Sequence, residues 1–171
     1  MHPDTGTLVR LGGLNRQLVL QNHEWWRLFT ATFLHANALH IIFNSIALFF
    51  GGLALERAIG SAWLTAIYLA SALSGSLASI LIQDPRTVSV GASGAIMGVL
   101  AAALVVSFLY KPGSGERTKL QEYPAGVLIP SLVPAVSGGV DIAAHFGGAI
   151  CGAALGAVFY LIWPRQDAST E

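Results

Sequence analysis

The chain has 171 residues, carries no net charge, and is 54% hydrophobic but only 11% charged. Soluble domains carry about 25% charged residues, so this composition excludes an ordinary soluble fold. The zero net charge gives no electrostatic basis for binding nucleic acid, and the single cysteine, Cys151, excludes an intrachain disulfide scaffold.

Five stretches without Asp, Glu, Lys or Arg follow one another along the chain. They cover residues 28–55, 58–83, 87–110, 123–140 and 142–164. About 20 residues of helix cross a hydrocarbon core of ~30 Å. Backbone groups in lipid must be hydrogen-bonded internally, and the stretches lack the alternation of a membrane strand, so helices are predicted. The expected fold is an all-α, polytopic transmembrane bundle of about five helices.

Residues 1–27 are predicted to form an extramembrane segment. It ends in a Trp-Trp-Arg sequence at residues 25–27, and aromatic rings beside a cation are typical of the headgroup interface. We expect the transmembrane domain to occupy residues 28–164 and a short polar tail to occupy residues 165–171.

The apolar stretches predict five helices within the transmembrane domain. These cover residues 37–56, 61–82, 93–110, 123–137 and 142–163. The most charged connector, residues 111–122, is predicted as a loop, and prolines interrupt the fourth helix. If that loop is cytoplasmic, Ser93 and His145 lie at the outward ends of their helices. We expect an integral, multi-pass protein of the cell membrane.

Ser93 is the first candidate catalytic residue, because it lies at a predicted helix start between Gly91 and Gly94. A serine hydroxyl becomes a nucleophile when a neutral imidazole takes its proton. The first-turn N–H groups of a helix have no internal partners and can stabilise an oxyanion. Taken alone, the Gly-Ala-Ser-Gly sequence favours close helix packing instead.

His145 is the candidate base. The positions three, seven and eleven residues after it, all on one helical face, are glycines. They are Gly148, Gly152 and Gly156. The helix that begins at Ser93 has a matching face of small residues, so the two helices can approach closely. Ser93 and His145 can then meet; the alternative is a structural histidine bonded to a neighbouring carbonyl.

His40 and Asn44 are four residues apart and therefore share a face of the first predicted helix. An imidazole and an amide aimed at one point can donate to an oxyanion. One alternative is a polar cluster that joins helices. Another is zinc bound by His35, His40 and His145, although no acidic residue lies nearby and the spacing differs from His-Glu-x-x-His.

These residues, in this order, resemble the rhomboid intramembrane serine proteases over about residues 26–163. The similar segments are Trp26-Arg27, His35 to Asn44, Glu56-Arg57-Ala-Ile-Gly60, Gly91-Ala92-Ser93-Gly94 and Ala144-His145-Phe-Gly-Gly148-Ala-Ile-Cys-Gly152. The combination of these segments is more specific to the family than any one of them.

The resemblance implies that Ser93 is the nucleophile and His145 its general base, a dyad without a carboxylate. It implies an oxyanion hole formed by His40, Asn44 and the backbone N–H of Ser93. The supporting residues would be His35, Gly91, Gly94, Gly148 and Gly152. It further implies a six-helix core with a water-filled cavity, a mobile proline-rich fourth helix, transmembrane protein substrates, and neither a cofactor nor a metal.

One feature departs from the family pattern: the family's first transmembrane helix has no counterpart, and residues 1–25 are similar to the linker that follows it. We expect a truncated reading frame; the alternative is a genuine five-helix variant. An alternative function is that of a catalytically impaired rhomboid-like protein that binds client transmembrane helices, but such a protein would be expected to lose Ser93 or His145. A transporter or channel would line a pathway with ionisable groups, whereas the polar residues here cluster toward one membrane face.

Overall fold

A computed structural model describes residues 4–133 and 140–163. The end of the predicted fourth helix and the predicted polar tail lie outside these residues. The helices of the described part are α1 (Thr5–Leu11), α2 (Arg16–Leu20), α3 (Arg27–Thr30), α4 (Ala38–Ile59), α5 (Ser61–Ile82), α6 (Ser93–Val106), α7 (Gly115–Ser131) and α8 (Ile142–Ile162). Short 3₁₀ turns follow α3 at Ala31–Phe33 and α6 at Ser107–Leu109.

Four of the five predicted membrane helices form close to their expected bounds. Helix α5 matches the prediction at both ends, and α8 begins and ends within one residue of it. Helix α4 runs three residues beyond its predicted end, to Ile59, before Gly60 ends it. The predicted third helix continues as a 3₁₀ turn after Val106.

The predicted loop over residues 111–122 is wrong, because α7 already begins at Gly115. Ser114 caps this helix by accepting a hydrogen bond from the Arg117 N–H at 3.3 Å. Glu116 and Lys119, three residues apart, form an ion pair at 2.9 Å on its first turns. Charge alone predicted a loop, but a serine cap followed by residues of good helix propensity favours a helix.

Among the residues that the structure describes, three helices are long and apolar enough to cross a membrane: α4, α5 and α8. The segment Ser93–Leu109, which includes α6, is a shorter apolar helix. Helix α7 combines a charged first half with an apolar second half that contains Pro124 and Pro130. The predicted helical membrane bundle is therefore confirmed, and three of its described helices are full-length candidate spans.

Helix α6 lies at the centre of the bundle, since it packs against α4, α5, α7 and α8. It is buried on every side from Gly94 to Ala103. Its closest approach is to α8, where a Cβ built on Gly148 would overlap the carbonyl oxygen of Gly94. One turn further, a Cβ on Gly152 would overlap the Gly98 carbonyl. The two backbones are in direct contact along this seam.

Residues 4–30 fold against the end of α5 and the segment before α6. Strand β1 (Leu14–Asn15) pairs antiparallel with β2 (Val88–Ser89), a small sheet that the sequence did not predict. The buried Arg27 guanidinium donates to the carbonyls of Val9 and Gly13 and forms an ion pair with Glu24 at 2.6 Å. Arg27 thereby links α1, the β1 segment and α3.

Candidate active site

A cavity of about 740 Å³ opens where α4, α6 and α8 begin. These three helices run in the same direction because α5 and α7 return between them, so their positive N-terminal ends converge on one region. Six of the residues predicted as site residues line this cavity. They are His40, Asn44, Gly91, Ser93, Gly94 and His145.

Ser93 is the first residue of α6 and is half-buried. The chain enters this helix through Gly91, whose φ of 128° is a conformation that side chains disfavour. A Cβ on Gly91 would lie 2.8 Å from Nε2 of His40 and 3.6 Å from Nδ2 of Asn44. A glycine is therefore required here both by backbone conformation and by the approach of two polar side chains.

His145 lies in the first turn of α8 and is buried, with 3% of its surface exposed. Its Nδ1 is 2.8 Å from the carbonyl oxygen of Ser131. Because Ser131 is the last residue of α7, that carbonyl has no partner within its own helix. A carbonyl only accepts hydrogen bonds, so Nδ1 carries the proton and Nε2 of the neutral ring is an acceptor.

Nε2 of His145 is buried and has no hydrogen-bond partner among the described residues. No hydrogen bond joins it to Ser93 in that part of the chain, although both residues line the same cavity. Catalytic hydrogen bonds are often long in the absence of substrate and shorten when substrate binds. The arrangement leaves an unpaired acceptor at a cavity that Ser93 also lines.

The side chains of His40 and Asn44 occupy the first two turns of α4, which Asn37 caps by accepting from the His40 N–H at 2.9 Å. Nδ2 of Asn44 is buried and makes no hydrogen bond within the described residues. Both side chains contact the space beside Gly91, two residues before Ser93. An unsatisfied amide donor therefore lies beside the start of α6.

His35 does not line the cavity; its ring packs edge-on against His40, with centroids 5.1 Å apart. Burial lowers the pKa of His35, which favours its neutral form. Within residues 4–133 and 140–163, no group of three or more His, Cys, Asp or Glu side chains is arranged to hold a metal ion. The three histidines considered for zinc do not form such a group.

Gly148 and Gly152 also lie outside the cavity lining, at the seam between α6 and α8. Gly94 belongs to both regions, since it lines the cavity and contacts α8. These glycines determine how closely α6 and α8 approach each other. They therefore set the distance between the two helices that carry Ser93 and His145.

Asp141 is a cavity residue that the sequence reasoning did not single out. Its carboxylate caps α8 and accepts four hydrogen bonds. The donors are the Ser79 hydroxyl, the Ser89 hydroxyl at 2.7 Å, the Gln83 amide at 2.9 Å and the Ala144 N–H at 3.0 Å. Burial raises the pKa of Asp141, but these hydrogen bonds together outweigh burial and hold it below its usual value.

Two signals in the sequence could have identified Asp141. It is the single charged residue between Glu122 and Arg165, and it directly precedes a predicted helix, where Asp is a preferred cap. No residue-type pattern could have identified the Ser131 carbonyl, because it is a backbone group.

Comparisons of the sequence with a family model and with known proteins all match rhomboid proteins. A family model described as "Rhomboid domain" matches residues 22–162. Rhomboid protease AarA of Providencia stuartii is 36% identical over 93% of this chain and 64% of its own length. RHOMBOID-like protein 1 of Arabidopsis thaliana is 38% identical over 95% of the chain and 41% of its own length. Rhomboid protease GluP of Bacillus subtilis (strain 168) is 37% identical over 87% of the chain and 29% of its own length.

The helical bundle and its cavity define a polytopic membrane protein with a polar site among helix ends. With a domain match over 22–162 and these relatives, the chain belongs to the rhomboid family. It spans 64% or less of the length of each of these three relatives.

Proposed function

We propose that this chain is an intramembrane serine endopeptidase in which Ser93 attacks the scissile carbonyl and His145 is the general base. The observation that carries the proposal is the state of His145. Its Nδ1 is held by the Ser131 carbonyl, while its buried Nε2 remains an unpaired acceptor in the cavity shared with Ser93. A base needs that tautomer to take a proton from a serine hydroxyl.

In the acylation step, the Ser93 hydroxyl proton passes to Nε2 of His145 as Oγ bonds to the substrate carbonyl carbon. The Ser131 carbonyl then serves the orienting role that a carboxylate has in a triad. It also lies at the C-terminal, negative end of α7, which favours the imidazolium that forms.

The oxyanion of the tetrahedral intermediate would accept hydrogen bonds from Asn44 Nδ2, His40 and the Ser93 N–H. Support comes from the unpaired Asn44 amide, from the closeness of His40 to Gly91, and from the position of Ser93 at a helix N-terminus. Each well-placed donor of this kind contributes about 3–4 kcal/mol to transition-state stabilisation.

Collapse of the intermediate transfers the proton from His145 to the leaving amine and leaves an acyl ester on Ser93. Water then hydrolyses that ester, with His145 again taking a proton, so no cofactor is required. The 740 Å³ cavity, whose lining includes several polar side chains, has room for the water this step consumes.

The proposed substrates are transmembrane proteins, cut within or beside the bilayer of the cell membrane. Relatives named rhomboid proteases support proteolysis, and the apolar helices around the cavity support a substrate that lies in the membrane. A substrate helix must unwind locally at the site of cleavage, because its carbonyls are otherwise occupied by intrahelical hydrogen bonds.

The test is labelling of the protein in membranes by a fluorophosphonate probe, together with cleavage of a model transmembrane substrate. Wild type should be labelled, and Ser93→Ala and His145→Ala should each abolish labelling and cleavage. Ser45→Ala is the matched control, since Ser45 is an exposed serine on α4.

Labelling that survives in Ser93→Ala would exclude Ser93 as the nucleophile. A folded wild type that neither labels nor cleaves, yet co-purifies with the model helix, would favour the client-binding alternative. Cleavage that a chelator abolishes would favour metal catalysis.

A further inference from the structure

The hydrogen bonds of Asp141 connect the two segments that precede the proposed catalytic residues. Oδ2 of Asp141 accepts from the Ser89 hydroxyl at 2.7 Å across 52 positions of sequence. Asp141 lies four residues before His145, and Ser89 lies four residues before Ser93. A single side-chain contact therefore joins the two chain segments at equal distances from the base and the nucleophile.

Backbone hydrogen bonds hold the chain on both sides of this contact. Oδ1 of Asp141 accepts from the Ala144 N–H at 3.0 Å, and its backbone carbonyl accepts from the His145 N–H at 3.1 Å. On the other side, Ser89 belongs to β2, and Gly91 donates its N–H to the Ala31 carbonyl at 2.9 Å. The Asp141 end is therefore bonded directly to His145, and the segment between Ser89 and Ser93 is held at Gly91.

Asp141 also has two partners that do not lead to Ser93. These are the Ser79 hydroxyl and the Gln83 amide, both at the end of α5. Ser79 shares the same carboxylate oxygen as Ser89 but does not line the cavity. The structure thus offers two hydroxyl contacts to one oxygen, of which only one belongs to the segment that carries the nucleophile.

We propose that the Ser89–Asp141 hydrogen bond positions the nucleophile relative to the base. Asp141 and Ser89 are positioning residues: they act through Ser93 and His145, by holding the start of α6 in register with the start of α8. An error of ~1 Å between reacting groups can lower a rate by about 100-fold, so one such link has a measurable effect.

This inference rests on the proposed function, and a matched pair of variants tests it. Ser89→Ala and Ser79→Ala each remove one hydroxyl from Oδ2 of Asp141. We measure the labelling rate at saturating fluorophosphonate (kinact), the half-saturating probe concentration (KI) and the melting temperature in detergent. Ser89→Ala should lower kinact about tenfold with little change in KI, equivalent to about 1.4 kcal/mol. Ser79→Ala should leave kinact within about twofold of the wild-type value. Its melting temperature should fall by about as much as that of Ser89→Ala.

Variants of Asp141 test the other end of the contact. Asp141→Asn can keep all four contacts, because its oxygen accepts from the Gln83 and Ala144 N–H groups while its amide donates to the two hydroxyls. It should retain most of the kinact that Asp141→Ala loses. Adding Ser89→Ala to Asp141→Ala should cause no further loss, since the contact is already absent.

Equal effects of Ser89→Ala and Ser79→Ala on kinact would overturn the positioning role, and so would an effect of Ser89→Ala confined to KI or to melting. Loss of kinact in Asp141→Asn equal to that in Asp141→Ala would overturn a role based on hydrogen bonds. If Asp141→Ala does not fold, the comparison of Ser89→Ala with Ser79→Ala still tests the positioning role. Wild type without Ser93-dependent labelling would refute the proposed function, whereas labelled wild type with an unaffected Ser89→Ala would refute the positioning role alone.

Discussion

Alanine at Gly148 would force apart the two helices that carry the proposed nucleophile and base. Gly148 lies three residues after His145, and it contacts Gly94, the residue after Ser93. The overlapping atoms belong to the Gly94 backbone, so no side-chain rotation can relieve the contact.

The size of the displacement follows from the spacing of the backbones. A Cβ on Gly148 would lie 2.6 Å from the Gly94 carbonyl carbon. Carbon atoms in contact prefer a separation of about 3.5 Å, so the helices must separate locally by about 1 Å. Such overpacking costs about 1–3 kcal/mol of folding free energy. A shift of ~1 Å between Ser93 and His145 should lower the reaction rate by about 100-fold.

The assay compares Gly148→Ala with Gly126→Ala. Gly126 is an exposed glycine within α7, and no described atom lies within 4 Å of a Cβ built on it. This control should be neutral or slightly stabilising, since alanine is favoured over glycine in a helix by roughly 0.5–1 kcal/mol. Thermal unfolding in detergent reports stability, and the fluorophosphonate labelling rate reports the geometry of Ser93 and His145.

The reasoning would be refuted if Gly148→Ala melted and labelled like Gly126→Ala. A lower melting temperature with an unchanged labelling rate would show that the seam stabilises the fold but does not set the catalytic distance.

Three further predictions concern other parts of the molecule. Asn44→Ala should lower the labelling rate by about 10²–10³-fold while the protein melts near the wild-type temperature, because it removes a proposed oxyanion donor. An unchanged rate would exclude that role. Arg27→Ala should reduce the free energy of unfolding by about 3 kcal/mol in thermal or denaturant unfolding, since it leaves Glu24 and two carbonyls without their partner. A variant as stable as wild type would contradict the role of Arg27 in linking α1, the β1 segment and α3. The pKa of Asp141 is lower in the folded state than in the unfolded state. Its carboxylate therefore stabilises the fold fully above about pH 4, which is the pKa of an unfolded Asp. This stabilisation is lost progressively as the pH falls through the pKa of the folded state. The stability difference between wild type and Asp141→Asn should therefore be constant from pH 7 to about 4 and change only below it, and a change near pH 6 would contradict this assignment.

The membrane helices could be predicted closely from sequence because hydropathy decides them locally. Helix α5 begins and ends where its apolar stretch does, between Gly60 and the Gln83 turn. The start of α7 was missed for a local reason as well: a serine cap and an ion pair favoured helix within a charged segment that hydropathy assigned to a loop.

The residues at the candidate site could be selected from sequence, since few polar groups lie within the apolar stretches. The hydrogen-bonding arrangement of these residues could not be predicted from the sequence. The proton position on His145 depends on the Ser131 carbonyl, which residue identity does not encode. The link from Asp141 to Ser89 joins positions 52 residues apart, and periodicity carries no information over that distance.

By itself, the sequence determined that the chain forms apolar helices and which polar side chains those helices carry, because both depend on composition over one or two turns. Only the tertiary structure decided that three helix N-termini meet at one cavity and that a helix end fixes the histidine tautomer. The close approach of α6 and α8 was predicted from their faces of small residues, but its register, with Gly148 against Gly94 and Gly152 against Gly98, came from the tertiary structure. These features depend on which distant segments pack against each other, and no short stretch of the chain specifies that.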